Sequence, residues 1–173
     1  MSKQTLALLF LLKIKYNEIN RVGVKVKNKI FCFLLLFAFV LIIFGFGLFA
    51  GSEFYKGGPV GIYSISSDKY KPAWNAIVAY MFILISIPSS IVSIIFSFVR
   101  INILNDISRI INFIIGISIF IAGLLIAFVP KVFLSFNNYM LKNPSGGFIA
   151  SAIILMISGI IFLIPALFDN KRY

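Results

Sequence analysis

The sequence predicts an all-α, polytopic membrane protein: a bundle of four transmembrane helices preceded by a short interfacial helix. Three observations predict it. Of 173 residues, 61% are hydrophobic and 12% are charged, against roughly 45–50% and about 25% in soluble globular chains. Four separate runs of about 20 residues or more carry no charge at all, long enough for one hydrocarbon core each. The chain has no His and a single Cys. It therefore lacks the commonest ligand for zinc or haem, the usual neutral-pH acid–base group, and any intrachain disulfide. No cofactor or metal is expected. Four spans and their loops leave no room in this sequence for a separate soluble domain.

Residues 1–29 read as a basic cytoplasmic tail. The apolar run 5–12 imitates a signal peptide, but eight residues are too few to span, and Lys13 and Lys15 stand where a small-residue cleavage site would be. It is expected to lie in the interface as a helix. Lys13, Lys15, Arg21, Lys25, Lys27 and Lys29 follow, with Glu18 among them. Each such cation near an anionic leaflet is attracted by about 1 kcal/mol. They are the candidate lipid-headgroup residues. The net charge of +11 also suits nucleic acid. No folded module is present to read it, and the bilayer accounts for the charge more simply.

The transmembrane domain covers residues 30–168. Its first span is 30–50, uncharged, with Gly45 and Gly47 near its end. Residues 51–72 form a loop with Gly57, Gly58, Pro59 and Gly61, then a polar stretch. The second span is 73–99. It exceeds what a bilayer needs, so a tilt, a bend at Pro88 or a projecting end is expected. A tight turn covers 100–109, where Asp106 and Arg109 are spaced to pair. The third span is 110–129, closed by Pro130 and Lys131. A second loop follows, 131–146. The fourth span is 147–168, and residues 169–173 form a short second cytoplasmic tail.

Lys and Arg set the orientation. Of the 16 in the chain, eleven fall in the two tails and the 100–109 turn, and five in the two longer loops. Both termini are therefore expected in the cytoplasm. Cys32 then lies at the inner end of the first span, where it is either an ordinary small apolar residue or a palmitoylation target.

None of the five acids, Glu18, Glu53, Asp68, Asp106 and Asp169, falls inside a span, and neither does any Lys or Arg. Proton relays, ion-coupled transport and intramembrane proteolysis need ionisable or metal-binding groups in the membrane. What the spans do carry is small and hydroxylated. Ser86, Ser89, Ser90, Ser93 and Ser97 recur at helical spacing in the second span. Asn112, Gly116, Gly123 and Ala127 fall roughly on one stripe of the third. Gly147 and Ser151 sit four apart in the fourth, with Ser158 and Gly159 beyond. Small residues let helices approach in lipid, and hydroxyls bond across the contact. The serine face either packs the bundle, or lines a polar path or docks a partner helix. Asn112 is expected to bond to it. The loop aromatics Phe54, Tyr55, Phe133, Phe136 and Tyr139 are candidates for partner contact or for an interfacial belt.

Gly61, Ile62 and Tyr63 in the first loop, the run 116–129, and Gly146, Gly147 and Phe148 at the start of the fourth span resemble the claudin and peripheral-myelin-protein class of tetraspans. The resemblance covers the layout of residues 51–168. It implies cytoplasmic termini, two outer loops of unequal length and a role in adhesion or barrier formation. Ile62 and Tyr63 replace the Leu and Trp of that family's motif, and its pair of loop cysteines is missing.

The function expected from these features is non-enzymatic: a scaffold, adhesion element or accessory subunit of a membrane complex. Its partners would be the bilayer and other membrane proteins or further copies of itself. The alternative is a small oligomeric channel or transport component using the serine face.

Overall fold

The computed structural model describes residues 30–55, 58–65, 68–98, 102–137 and 144–168. The expected interfacial helix over 5–12, the six tail cations, Tyr139 and the tail 169–173 lie outside the described residues. Four helices make up the fold: α1 (Ile30–Gly51), α2 (Trp74–Phe98), α3 (Asn102–Phe136) and α4 (Gly146–Phe168). All four are long and apolar enough to cross a membrane. Among the described residues there is no strand, only an isolated bridge between Glu53 and Val60.

The helices alternate in direction. As α2 advances from Asn75 to Ser93, its partners on α3 retreat from Leu125 to Asn112. Ser151 and Ser158 of α4 likewise reach back along α1, to the carbonyls of Gly45 and Ala38. Phe46 of α1 meets Tyr80 of α2, so each helix has two neighbours around the bundle. The core between them holds Ile42, Ile83, Ile119, Ile126, Leu155 and Phe162. Outward positions are apolar too, with Phe33, Ile85, Ile114 and Ile157 all exposed. Hydrophobic residues inside and outside are what lipid as solvent demands.

The third helix departs from the expectation at both ends. It begins at Asn102 instead of Ile110, and it runs past Pro130 and Lys131 to Phe136. The stretch over 102–109 is helical, not a tight turn, and Phe133 and Phe136 belong to a helix, not a loop. Hydropathy marks where side chains tolerate lipid, not where backbone hydrogen bonding stops. With 35 residues at 1.5 Å each, α3 is roughly 52 Å long, well beyond a hydrocarbon core of about 30 Å. Its charged residues Asp106, Arg109 and Lys131 sit near its two ends. Pro88, Pro130 and Pro165 all lie within helices, which neighbouring groups in a bundle can tolerate.

Glycines bring α3 and α4 together. A Cβ on Gly159 would stand 2.7 Å from both the Gly116 carbonyl and the Phe120 amide, and one on Gly116 would stand 2.9 Å from the Gly159 carbonyl. Gly123 has the same relation to the Ala152 carbonyl, also at 2.9 Å. Here backbone meets backbone. The expected stripe on α3 is therefore two surfaces: Gly116 and Gly123 face α4, Asn112 faces α2, and Ala127 is exposed. Gly147 packs against Ser52, just beyond α1, and not against another helix.

The long loops close one end of the bundle. Phe54 and Phe133 stack with centroids 4.2 Å apart, and Phe148 joins Phe54 at 4.9 Å. Phe49 and Tyr70 complete the cluster. Phe54 and Phe133 are fully buried, so they cannot meet a partner or anchor at the interface. Phe136 is exposed. Gly61 opens a 3-10 turn over Gly61–Ser64, and a Cβ there would overlap the Phe49 carbonyl. Only glycine fits. Main-chain bonds from Gly61 to Ser52 and from Ser145 to Phe54 tie this loop to α1 and to the start of α4. Asn137 clasps Lys71 with a bond in each direction, at 2.8 and 3.1 Å.

Gly159→Val should lower stability by about 1–3 kcal/mol, because a rigid backbone must move to admit the side chain. Gly47→Ala, which meets open space, should be neutral or stabilise by up to about 1 kcal/mol. Thermal melts of detergent-solubilised protein read both. Equal midpoints for Gly159→Val and the parent would mean that α3 and α4 do not touch there.

Candidate functional site

The polar side chains converge on the α2–α3 contact, toward the end away from the long loops. Three turns of α2 bring Ser86, Ser90 and Ser93 to one buried face, each at most 2% exposed. Ser97 is half-buried, and so is Ser89. At about 100° per residue, Ser89 lies on the rim of the face, not within it.

The hydroxyl protons impose an order. Ser93 Oγ donates to Asn112 Oδ1 at 2.5 Å. Its proton is then in use, so Ser108 Oγ is the donor in its 2.9 Å contact with Ser93 Oγ. Ser97 Oγ donates to the Ser93 carbonyl at 2.9 Å and lies 3.3 Å from Ser108 Oγ. Asn112 thus meets the serine face through Ser93. Ser108, 4% exposed, is a full member of the cluster. It escaped sequence reasoning because it fell in the stretch read as a turn. Only the continuation of the Ser108, Asn112, Gly116 spacing hinted at it.

Two further hydroxyls of α2 turn back on their own helix. Ser90 Oγ donates to the Ser86 carbonyl at 2.6 Å, and Ser89 Oγ to the Ile85 carbonyl at 2.8 Å. Such i→i−4 bonds satisfy the hydroxyl and favour bending, here in the turn that follows Pro88 within α2. On α4, Ser151 and Ser158 donate across to α1 carbonyls at 2.7 and 2.8 Å. Each of these hydroxyl protons has a protein acceptor.

Arg109 has a use that its spacing from Asp106 did not indicate. Its Nε donates to the Ala166 carbonyl oxygen. Ala166 lies in the last turn of α4, where carbonyls have no helical donor and the macrodipole is negative. A guanidinium there caps α4 and pins it to α3. Asn75 was also overlooked. It stands one residue into α2, is 1% exposed and donates Nδ2 to the Leu125 carbonyl of α3 at 3.1 Å.

Chemically, the cluster is a chain of hydroxyl and carboxamide bonds closed upon itself. It holds α2 and α3 in register. The chain matches no known protein family, and neither a curated protein nor a solved structure matches it at a significant level.

Asn112→Leu should destabilise the protein by about 0.6–1.7 kcal/mol, the range for a hydrogen bond between helices in lipid. Arg109→Met, which keeps the aliphatic stem, should lower the midpoint further at low salt by uncapping α4. Thermal melts in detergent check both. An unchanged midpoint for Asn112→Leu would leave the polar chain without structural weight.

Proposed function

We propose that the chain is a four-span integral membrane protein with both termini in the cytoplasm. It acts without catalysis, as a scaffold, adhesion element or accessory subunit of a membrane complex. The observation that carries this reading is the fate of the polar groups. The hydroxyls of Ser89, Ser90, Ser93 and Ser97 all donate to acceptors within the bundle, which favours packing over a conduit. Apolar side chains are exposed on all four helices, a surface that lipid or another membrane protein would cover. A path along the serine face of α2 is the second reading, and it would require the Ser93–Asn112–Ser108 chain to open.

The test is recovery of the tagged, full-length protein in mild detergent, with native mass and identification of what accompanies it. One stoichiometric, larger membrane protein is the expected result. A homo-oligomer with no partner, together with ion flux in vesicles that Ser93→Leu abolishes, would overturn the accessory role in favour of the conduit. Orientation is read separately. In a Cys32→Ala background, Asp68→Cys should react with an impermeant thiol reagent added outside intact cells, and Ser2→Cys should not. The opposite pattern would reverse the topology.

A further inference from the structure

Among the described residues, Asn75 differs from the other buried polar side chains. Its Nδ2 has an acceptor, but its Oδ1 is buried and has no hydrogen-bond partner among the described residues. An acceptor stranded in that way costs about 1–3 kcal/mol. A leucine would fill similar space without that cost.

The chemistry next to it explains why a carboxamide stands there. Asn75 reaches the Leu125 carbonyl. The following carbonyl is that of Ile126, which is fully buried. Its usual helical donor would be the N–H of residue 130, and residue 130 is Pro, which has none. Beside the contact between Asn75 and Leu125, the α2–α3 junction thus holds an unpartnered side-chain oxygen and, one residue along α3, a carbonyl whose i+4 donor is missing. Lys71 and Lys131, the cations nearest in sequence to Asn75 and to Ile126, are both exposed. On α2, Ala76 and Ala79 beside Asn75 are fully buried and short.

Two neutral acceptors call for a small molecule with two donors and no charge. Water is that molecule. Ordered waters are one way in which proline-broken transmembrane helices satisfy freed carbonyls, and a buried water typically has two to four polar partners. A hard cation takes about six or more oxygens, far more than the junction offers. We propose that one water is built into the α2–α3 junction, donating to Asn75 Oδ1 and to the Ile126 carbonyl oxygen. The water supplies the donor that Pro130 withholds within a helix that runs on to Phe136. Beyond Pro130 lie Phe133 and Asn137, the residues bound to the first loop.

The test uses the full-length protein in lipid vesicles. Solid-state NMR with magnetisation transferred from water to 15N-labelled asparagine reads the site directly, with Asn75 assigned by the signal missing in Asn75→Leu. Fast build-up at Asn75 Nδ2 is the expected result, despite its burial. Build-up as slow as at the Ala79 amide overturns the proposal. A double-mutant cycle gives a second reading. Asn75→Leu should lower the melting midpoint by several degrees in the parent. It should do so much less in Pro130→Ala, where residue 130 again donates to Ile126. A raised midpoint for Asn75→Leu, or additive effects, would show an unhydrated oxygen and overturn the water. So would a midpoint that depends on sodium or potassium at constant ionic strength, since the occupant would then be a cation.

Discussion

Backbone contact between α3 and α4 sets the geometry on which the remaining packing rests. In hydrocarbon there is no hydrophobic drive to bring helices together, because lipid tails are as apolar as leucine. Association depends on how closely main chains approach. Gly116 against Gly159, and Gly123 against the Ala152 carbonyl, let the two main chains meet directly. With that seam fixed, the neighbouring elements fall into place. Arg109 comes within reach of the Ala166 carbonyl. The opposite side of α3 is left to α2, where Asn112 and Ser108 meet Ser93. The far side of α4 is left to α1, where Ser151 and Ser158 find carbonyls.

The two ends of the bundle solve the problem of closure differently. At one end the helices are joined by aromatic stacking under a folded loop, in which Phe54, Phe133 and Phe148 exclude solvent. At the other, hydroxyls and a carboxamide donate hydrogen bonds in a fixed order, and a guanidinium caps a helix terminus. Aromatic pairs contribute about 0.5–1.5 kcal/mol beyond burial, and hydrogen bonds between helices a similar amount each. Neither end dominates. The bundle is held by many modest contacts, several of which give a buried polar group its partner.

Much of this was legible in the residues. The ends of α1, α2 and α4 fall within a residue or so of the limits of the uncharged runs, because those runs begin and end at glycine, proline or charge. Gly116, Gly123, Ser93 and Ser151 were legible as packing residues, since small side chains at helical spacing have few other uses in lipid. The true length of α3 was not. Pro130 and Lys131 are stop signals in isolation, and they were overridden because Phe133, one turn on, is gripped by Phe54 and Tyr70. That grip is a contact between residues far apart in the chain, and no local pattern encodes it. Phe54 was misplaced for the same reason: in a loop by sequence, it is core by tertiary contact. Gly61 was legible only as one of several loop glycines; its need is steric, set by the carbonyl of Phe49.

The loop cap has a consequence for how the protein is made. Its central residues, Phe54, Gly61 and Tyr70, leave the ribosome early, between α1 and α2. The groups that complete it, Phe133, Asn137, Ser145 and Phe148, leave near the end. Phe133 and Asn137 can engage the first loop once α3 is made, but Ser145 and Phe148 complete the cover only with α4. The cap therefore closes in two steps, and a chain that stopped at three helices would keep its Phe54–Phe133 stack while leaving the α4 side open.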